Sequence, residues 1–353
     1  MRCQDSRAWE AHGKLAHGMA SLADISRRAG TSVATASRVL NGSSHPVSEA
    51  TRARVLQAAA DLGYAPSALA QALVTRSSRI IGVIVNDIVD PYFAEIARGV
   101  EDVAGRMGYL VMVCNADHRV EAEIEYVQAL RDYHAEGLVF AGSGAASAGP
   151  VNDELATHVE AARARGARVV ALARREFPAF HVGVDNAGAA YDVTDYLISL
   201  GHRRIAFVDG PPELYTSEER RAGFSAAMAA SQLSDELRFA GGFDFESGLA
   251  AGRRLLTCRP LPDAVVAAND EAAIGVLTSF RHADVDVPGQ VSVAGIDDTR
   301  SARFVDLTTV NLPLYDLGAV AARHILAGAE DGAEEDVVLA HRLVPRRSTA
   351  RRR

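Results

Sequence analysis

LADISRRAGTSVATASRVL, residues 22–40, decides how the chain begins to fold. Leu22, Ile25 and Ala29 recur at helical spacing, and Gly30 ends the pattern where a residue without Cβ turns the chain most easily. Ser32 can cap a second helix over VATASRVLN, whose Val33, Ala36, Val39 and Leu40 can pack on the first. A third helix is expected after Val47 and the cap Ser48. It buries Val55, Leu56, Ala59 and Leu62 and closes at Gly63. Two short helices joined by a glycine turn and buttressed by a third make a helix-turn-helix head.

Charge is distributed to match. Residues 20–79 hold seven arginines against Asp24, Glu49 and Asp61, a net +4, inside a chain whose total is -8. A basic head on an acidic body suits contact with a polyanion. On the second helix Thr35, Ser37, Arg38 and Asn41 are polar. Arg38 carries the planar fork that matches guanine O6 and N7 in a major groove, and the others suit phosphate contacts that fix register.

From Arg79 the chain alternates short apolar runs with helical patterns. RIIGVIV, YLVMVC, EGLVFAG, ARVVALA, HVGVD, RRIAFVDG, DAVVAAN and VSVAGID are strand candidates between helices such as PYFAEIARGVEDVAGRM and ESGLAAGRRLL. Such runs read as parallel strands buried on both faces, hence doubly wound α/β layers. A segment this long is large for one open sheet, so two lobes are expected, with a ligand crevice at the strands' carboxyl ends.

The loops at those ends are polar or aromatic: NDIVDPYF, GPPELYTSEERRAGF, GGFDFESG, NDEAA and GIDD. Asn269, Asp270, Asp297 and Asp298 offer acceptors for hydroxyls, Arg220 a donor fork, and Tyr92, Phe93 and Phe243 flat apolar faces. Together they suit a small polyhydroxylated ligand such as a sugar. Three positions also have a plainer alternative: Asp298 as a helix cap, Phe243 as core, Arg220 as a partner of Glu218 or Glu219.

These residues carry a resemblance. LADISRRAGTSVATASRVLNG, VSEATRARVLQAAADLGYAPSALAQAL and RIIGVIV resemble the lactose-repressor (LacI/GalR) family of bacterial transcription regulators, from about Leu22 to Ser348. The resemblance implies a two-lobed, periplasmic-binding-protein-like (type I) effector and dimerisation domain over 80–353, joined to the all-α head of 20–64. Its N-lobe is expected at about 80–181 with 312–340, and its C-lobe at about 182–311 with 341–353. It also implies a hinge helix in APSALAQAL, within a linker spanning 65–79. On the DNA side it points to Ser32, Val33, Ala34, Thr35, Ser37, Arg38, Asn41 and Tyr64, with Ala70, Gln71 and the wedge Leu73 in the hinge. Val33 and Ala34 stand where relatives often carry base-selecting side chains, so readout there rests on apolar contacts such as those to thymine methyls. In the crevice it points to Arg220, Asn269 and Asp297, with Tyr92, Phe93, Thr216, Phe243 and Arg174 lining it. Ala173 stands where many relatives have aspartate.

The partners implied are a pseudo-palindromic double-stranded operator, a small effector that is a sugar or sugar derivative, and a second copy of the chain. No cofactor, metal or membrane is expected. Three cysteines without a CxxC pair, no long apolar run and no export-type leader fit a reducing cytoplasm. An enzyme or a solute-binding protein is the other reading. It lacks a P-loop, HExxH or GxSxG elbow, and GSGAAS at 142–147 is a weak dinucleotide motif. Residues 1–19 are expected to be a disordered leader, and RLVPRRSTARRR, without leucine heptads, a solvated end.

Overall fold

The computed structural model describes residues 20–40, 45–64, 78–145, 149–327 and 335–352. The expected leader and hinge helix lie outside these residues, as do Asn41, Ala70, Gln71 and Leu73. The chain divides into two compact units, Met1–Ser78 and Arg79–Arg353.

In the first unit, α1 (Leu22–Ala29) starts at a capping box between Ser21 and Asp24 and stops at Gly30, whose φ of 62° is left-handed. Helix α2 (Val33–Leu40) begins where the Thr35 amide donates to Ser32 Oγ at 3.1 Å. Helix α3 (Glu49–Asp61) begins where the Thr51 amide donates to Ser48. Caps of this kind satisfy amides that a helix cannot bond internally. Ile25, Ala29, Ala36, Val39, Val55, Ala58 and Ala59 form the buried core, with Leu22, Leu40, Val47, Leu62 and Tyr64 packed around it.

Two residues expected inside are outside: Val33 is 49% exposed and Leu56 50%. Val33 occupies the first helical position, and the contact with α1 is filled by Ala36 and Val39 further along. On α3 the buried stripe runs through Val55, Ala59 and Leu62 at i, i+4 and i+7, which leaves Leu56 about 100° round the helix.

The second unit holds two parallel sheets. One is ordered β11-β5-β4-β3-β1-β2, from β1 (Ile80–Val85), β2 (Leu110–Asn115), β3 (Gly137–Phe140), β4 (Arg168–Ala171), β5 (Phe180–Val184) and β11 (Val337–Leu339). The other is ordered β7-β6-β8-β9, from β6 (Ile205–Val208), β7 (Arg238–Phe239), β8 (Ala264–Ala267) and β9 (Ser292–Ala294). The inner strands β3, β6 and β8 are buried throughout, as expected for strands covered by helices on both faces.

Around the first sheet pack α4 (Pro91–Arg106), α5 (Val120–Asp132), α6 (Gly149–Arg163) and α12 (Leu314–Leu326). The second carries α7 (Asn186–Ser199), α8 (Tyr215–Ala230), α9 (Phe245–Leu255), α10 (Asp270–His282) and the short α11 (Arg300–Phe304). Helices α4 and α12 approach so closely that a Cβ on Gly99 would sit 2.0 Å from the Tyr315 carbonyl oxygen, and one on Gly318 2.0 Å from that of Ile96.

The chain passes between the sheets three times: after β5, after β10 (Thr309–Asn311) into α12, and after β11 into β12 (Arg342–Val344), which pairs antiparallel with β10. The C-terminal segment is not the solvated end expected from its charge. Ser348 and Thr349 are buried, because Ser348 completes hydrogen bonds beside β9: its carbonyl accepts from the Val293 amide at 2.9 Å, and its hydroxyl bridges the Val293 carbonyl and the Thr308 amide. Arg346 and Arg352 are held by Asp298 and Asp263. His202, between α7 and β6, is a buried anchor for the same segment, with Nε2 2.9 Å from the Ala350 carbonyl. Among the described residues no helix is long and apolar enough to cross a membrane.

Candidate functional site

On the head, Ser32, Val33, Ala34 and Arg38 are exposed on or beside α2, and Thr35 and Ser37 are half-buried. The Ser32 and Thr35 hydroxyls lie 2.8 Å apart within the cap, so both are first of all helix starters. Tyr64 packs against the head's core. The acidic residues Asp24 and Asp61 are paired with Arg27 and Arg28, on helices other than α2. Exposed Arg38 therefore sits on a face carrying no carboxylate of its own helix.

In the second unit a cavity of about 560 Å³ lies at the carboxyl ends of both parallel sheets. The loops after β1, β2, β3 and β4 supply one wall, and those after β6, β7, β8 and β9 the other. Tyr92, Phe93, Thr216, Arg220, Phe243, Asn269 and Asp297 all line it. The rule that ligands bind at the carboxyl ends of the strands in open α/β sheets thus locates the cavity, and seven of the eight crevice residues named from sequence line it.

Arg220, on α8, is its fixed point. The side chain is 2% exposed and donates from Nε to Asn186 Oδ1 at 3.1 Å, from Nη1 to the Ala268 carbonyl at 2.6 Å and from Nη2 to Asp297 Oδ1 at 2.9 Å. Its guanidinium also stands 5.7 Å from the centre of the Phe243 ring. Glu219 does not pair with Arg220 directly but accepts from Asn186 Nδ2 at 3.0 Å. Asn269 caps α10 by accepting from the Ala272 amide at 3.0 Å, and its Nδ2 donates to the Phe243 carbonyl at 2.8 Å. It thereby ties two cavity loops together. Asp297 has φ 127°, a left-handed conformation uncommon for a residue with a Cβ, held by the Asp297 amide donating to the Val310 carbonyl at 2.8 Å. Beneath it, Asp270 accepts from the Thr299 amide at 2.8 Å and the Thr309 hydroxyl at 2.5 Å.

Arg174 does not line the cavity. It is exposed, 4.3 Å over the Tyr215 ring, while its neighbour Arg175 points into the wall. Arg175 makes a bidentate pair with Glu123 at 2.7 and 2.9 Å, donates from Nε to the Gly142 carbonyl at 3.0 Å and lies over Phe140. Successive residues leaving a strand point to opposite sides, so adjacent arginines are easily exchanged in a sequence reading. Glu123, Arg175 and Asn186 were missed. Glu123 left a signal, since it shares an i, i+4, i+7 stripe with Val127 and Leu130, where a charge needs a buried partner.

Burial raises several carboxyl groups. Asp90, the cap of α4, is pushed up to about 7, chiefly by desolvation, with the Asp297, Glu271 and Asp87 charges adding and the Tyr92 amide opposing. Burial also raises Asp297, against the pull of Arg220, and Asp270 beside it. Among the described residues no cluster of three or more His, Cys, Asp or Glu could hold a metal ion.

A capped helix-turn-helix unit combined with a body of two parallel sheets around a polar crevice is the build of a bacterial DNA-binding regulator. Residues 21–67 match the family of bacterial regulatory proteins, lacI family, and residues 194–349 match the periplasmic binding protein-like domain. Catabolite control protein A of Priestia megaterium is 33% identical over 340 residues, covering 93% of this chain and 99% of that protein. The lac repressor dimer bound to operator and the anti-inducer ONPF superposes with TM-score 0.80 at 25% identity, over 94% of this chain and 99% of that one. A LacI family regulator of Enterococcus faecium with bound ribose gives 0.69 at 26% identity, over 78% of this chain and all of that one. The chain belongs to the LacI family: it is a DNA-binding transcription regulator and not an enzyme.

Proposed function

We propose that the head of this regulator binds a pseudo-palindromic operator as part of a homodimer, and that the crevice takes a small polyhydroxylated effector whose occupancy changes operator affinity. The observation that carries the effector reading is the buried Arg220 guanidinium at the crevice, aimed by Asn186, the Ala268 carbonyl and Asp297. Such a preorganised donor, flanked by the Phe243 ring and a cavity rich in acceptors, suits hydroxyl groups on a compact apolar skeleton. That the Enterococcus faecium neighbour holds ribose favours the same class.

On the DNA side, Arg38 reads a base while Val33 and Ala34 present apolar surface to the groove and Ser32, Thr35 and Ser37 fix register. A regulator that holds genomic DNA works in the bacterial cytoplasm. The lobes are centred on the two sheets; because β5 (Phe180–Val184) belongs to the first, the boundary expected near 181 shifts past it, giving an N-lobe at about 80–184 and 312–340 and a C-lobe at about 185–311 and 341–353. The crevice draws loops from both, so a bridging ligand favours one lobe angle over another. Coupling of this kind is worth about 1–3 kcal/mol and is reciprocal: operator must weaken or strengthen effector binding by the factor that effector imposes on operator. Calorimetry of effector binding with and without operator tests it. Identical affinities in both titrations would remove the coupling.

A further inference from the structure

The crevice is strongly acidic, and its carboxylates are unevenly matched. Glu123 and Asp297 are neutralised by Arg175 and Arg220. Asp87 and Asp244 each accept from a nearby backbone amide, of Val89 at 2.9 Å and Ser247 at 2.8 Å. Asp90 likewise accepts from the Tyr92 amide at 2.9 Å, which leaves Glu213, Glu246 and Glu271 on the lining against Arg119 and His118. Glu271 Oε1 is a buried oxygen with no hydrogen-bond partner, and buried polar atoms left in that state call for an explanation such as a donor brought from outside.

We infer that the crevice selects a polyol bearing a protonated amino group and rejects phosphorylated and carboxylated ones; this rests on the crevice being the effector site. An anionic group would need a free cationic fork, but both buried guanidinium groups are already closed by carboxylates. The N-terminus of α10, where an anion would gain from the helix dipole, has Asp270 and Glu271 in its first turn. An ammonium near Glu271 and Asp90 instead supplies the missing donor and offsets like charges that now face one another. The hydroxyls of the same ligand are left to Arg220, Asn269 and Asp297. Asp90 holds its proton chiefly because it is buried, and the charges of Asp297, Glu271 and Asp87 add to that.

The test is isothermal titration of the full-length protein at pH 7.5, about one unit or less above Asp90's titration, in moderate salt. Probes are matched series: several pentoses and hexoses, each with its amino-deoxy, 6-phosphate (5-phosphate for pentoses) and uronate counterparts. The expected result is a series in which the amine binds about tenfold or more tightly than its parent and the anions bind more weakly than either. The amine-to-parent ratio should then shrink in Glu271→Gln and, as a second variant, Asp90→Asn. A phosphate or uronate that binds as well as its parent overturns the inference, and so does an amine no tighter than its parent; both leave the effector reading standing. Absence of binding in every series overturns the inference and the polyol reading together.

Discussion

The head and the crevice are built on opposite plans. Within the head, helix α1 spans eight residues, its cap is three residues from its capping partner, and its buried side chains recur every third or fourth position. The crevice brings Arg220 to Asn186, Ala268 and Asp297, partners 34, 48 and 77 residues away. A local plan writes itself into the periodicity of the chain. A distant one is legible only where a fold rule gathers loops to one place, as the carboxyl ends of parallel strands do. The two plans also fail differently: the head should lose its core as a unit, whereas the crevice should suffer from one charge left without its partner.

The largest effect is expected from Arg220→Ala. A crevice donor standing alone could be removed without harm to the fold, but the structure places this side chain inside an ion pair whose exposed fraction is 3% on each side. Breaking a buried pair by removing one partner costs about 3–5 kcal/mol, since Asp297 stays behind unpaired. Thermal unfolding should show a loss of roughly 6–15 °C on the scale typical of domains this size. Arg220→Met combined with Asp297→Leu should recover much of that loss while remaining deaf to effector. A double variant as unstable as Arg220→Ala would show that the polar network, not the orphaned charge, sets the penalty.

Ile25→Ala strikes the other plan. Ile25 is fully buried in a core that is otherwise mostly alanine and valine. Deleting it should cost about 2–5 kcal/mol, a large share of what so small a unit can muster. Operator binding should vanish at physiological temperature while the body's thermal transition and effector affinity stay within error. A matching fall in the body's transition would mean the two units do not respond separately. Arg38→Ala, on the same head, should cost about 1–3 kcal/mol at the cognate site and relax preference at one base, with random-sequence binding reduced much less. Equal losses on cognate and random duplexes would make Arg38 a phosphate contact instead.

Much of the fold was legible because its signals are local. Ser32, Ser48 and Gly30 act as the caps and stop that their residue types suggest, and the Val/Ile/Ala runs became strands, buried in β1, β3 and β8 but largely open in the edge strand β2, where Leu110 is 62% exposed. What escaped was short or relational. Strands β7, β10, β11 and β12 have two or three residues each, too few to show a period. Burial of Ser348 depends on a strand 55 residues earlier, and no composition rule separates it from a basic tail. Arg175 and Arg174 are identical residues side by side, and only the partner Glu123, 52 positions away, tells them apart.

The smallest effect tests whether the fold disfavours a charged Asp90 at the crevice, through its burial and the carboxylates nearby. In the unfolded chain Asp90 titrates near 3.8, and in the fold it holds its proton up to about 7. Between those values the folded state binds more protons, so stability falls as pH rises from about 4 to 7 and is level above. Asparagine keeps a capping oxygen for the Tyr92 amide but has no proton to lose. Asp90→Asn should therefore match the parent near pH 4, gain on it through neutrality, and stand about 1–2 kcal/mol more stable at pH 8, with the shift scaled down because the side chain is only partly buried. Melting curves at pH 5 and pH 8 settle the sign. A parent more stable than the variant at pH 8 would show that the Asp90 carboxylate is welcome where it sits, and the account of Asp90 as a buried group further disfavoured by Asp297, Glu271 and Asp87 would have to be abandoned.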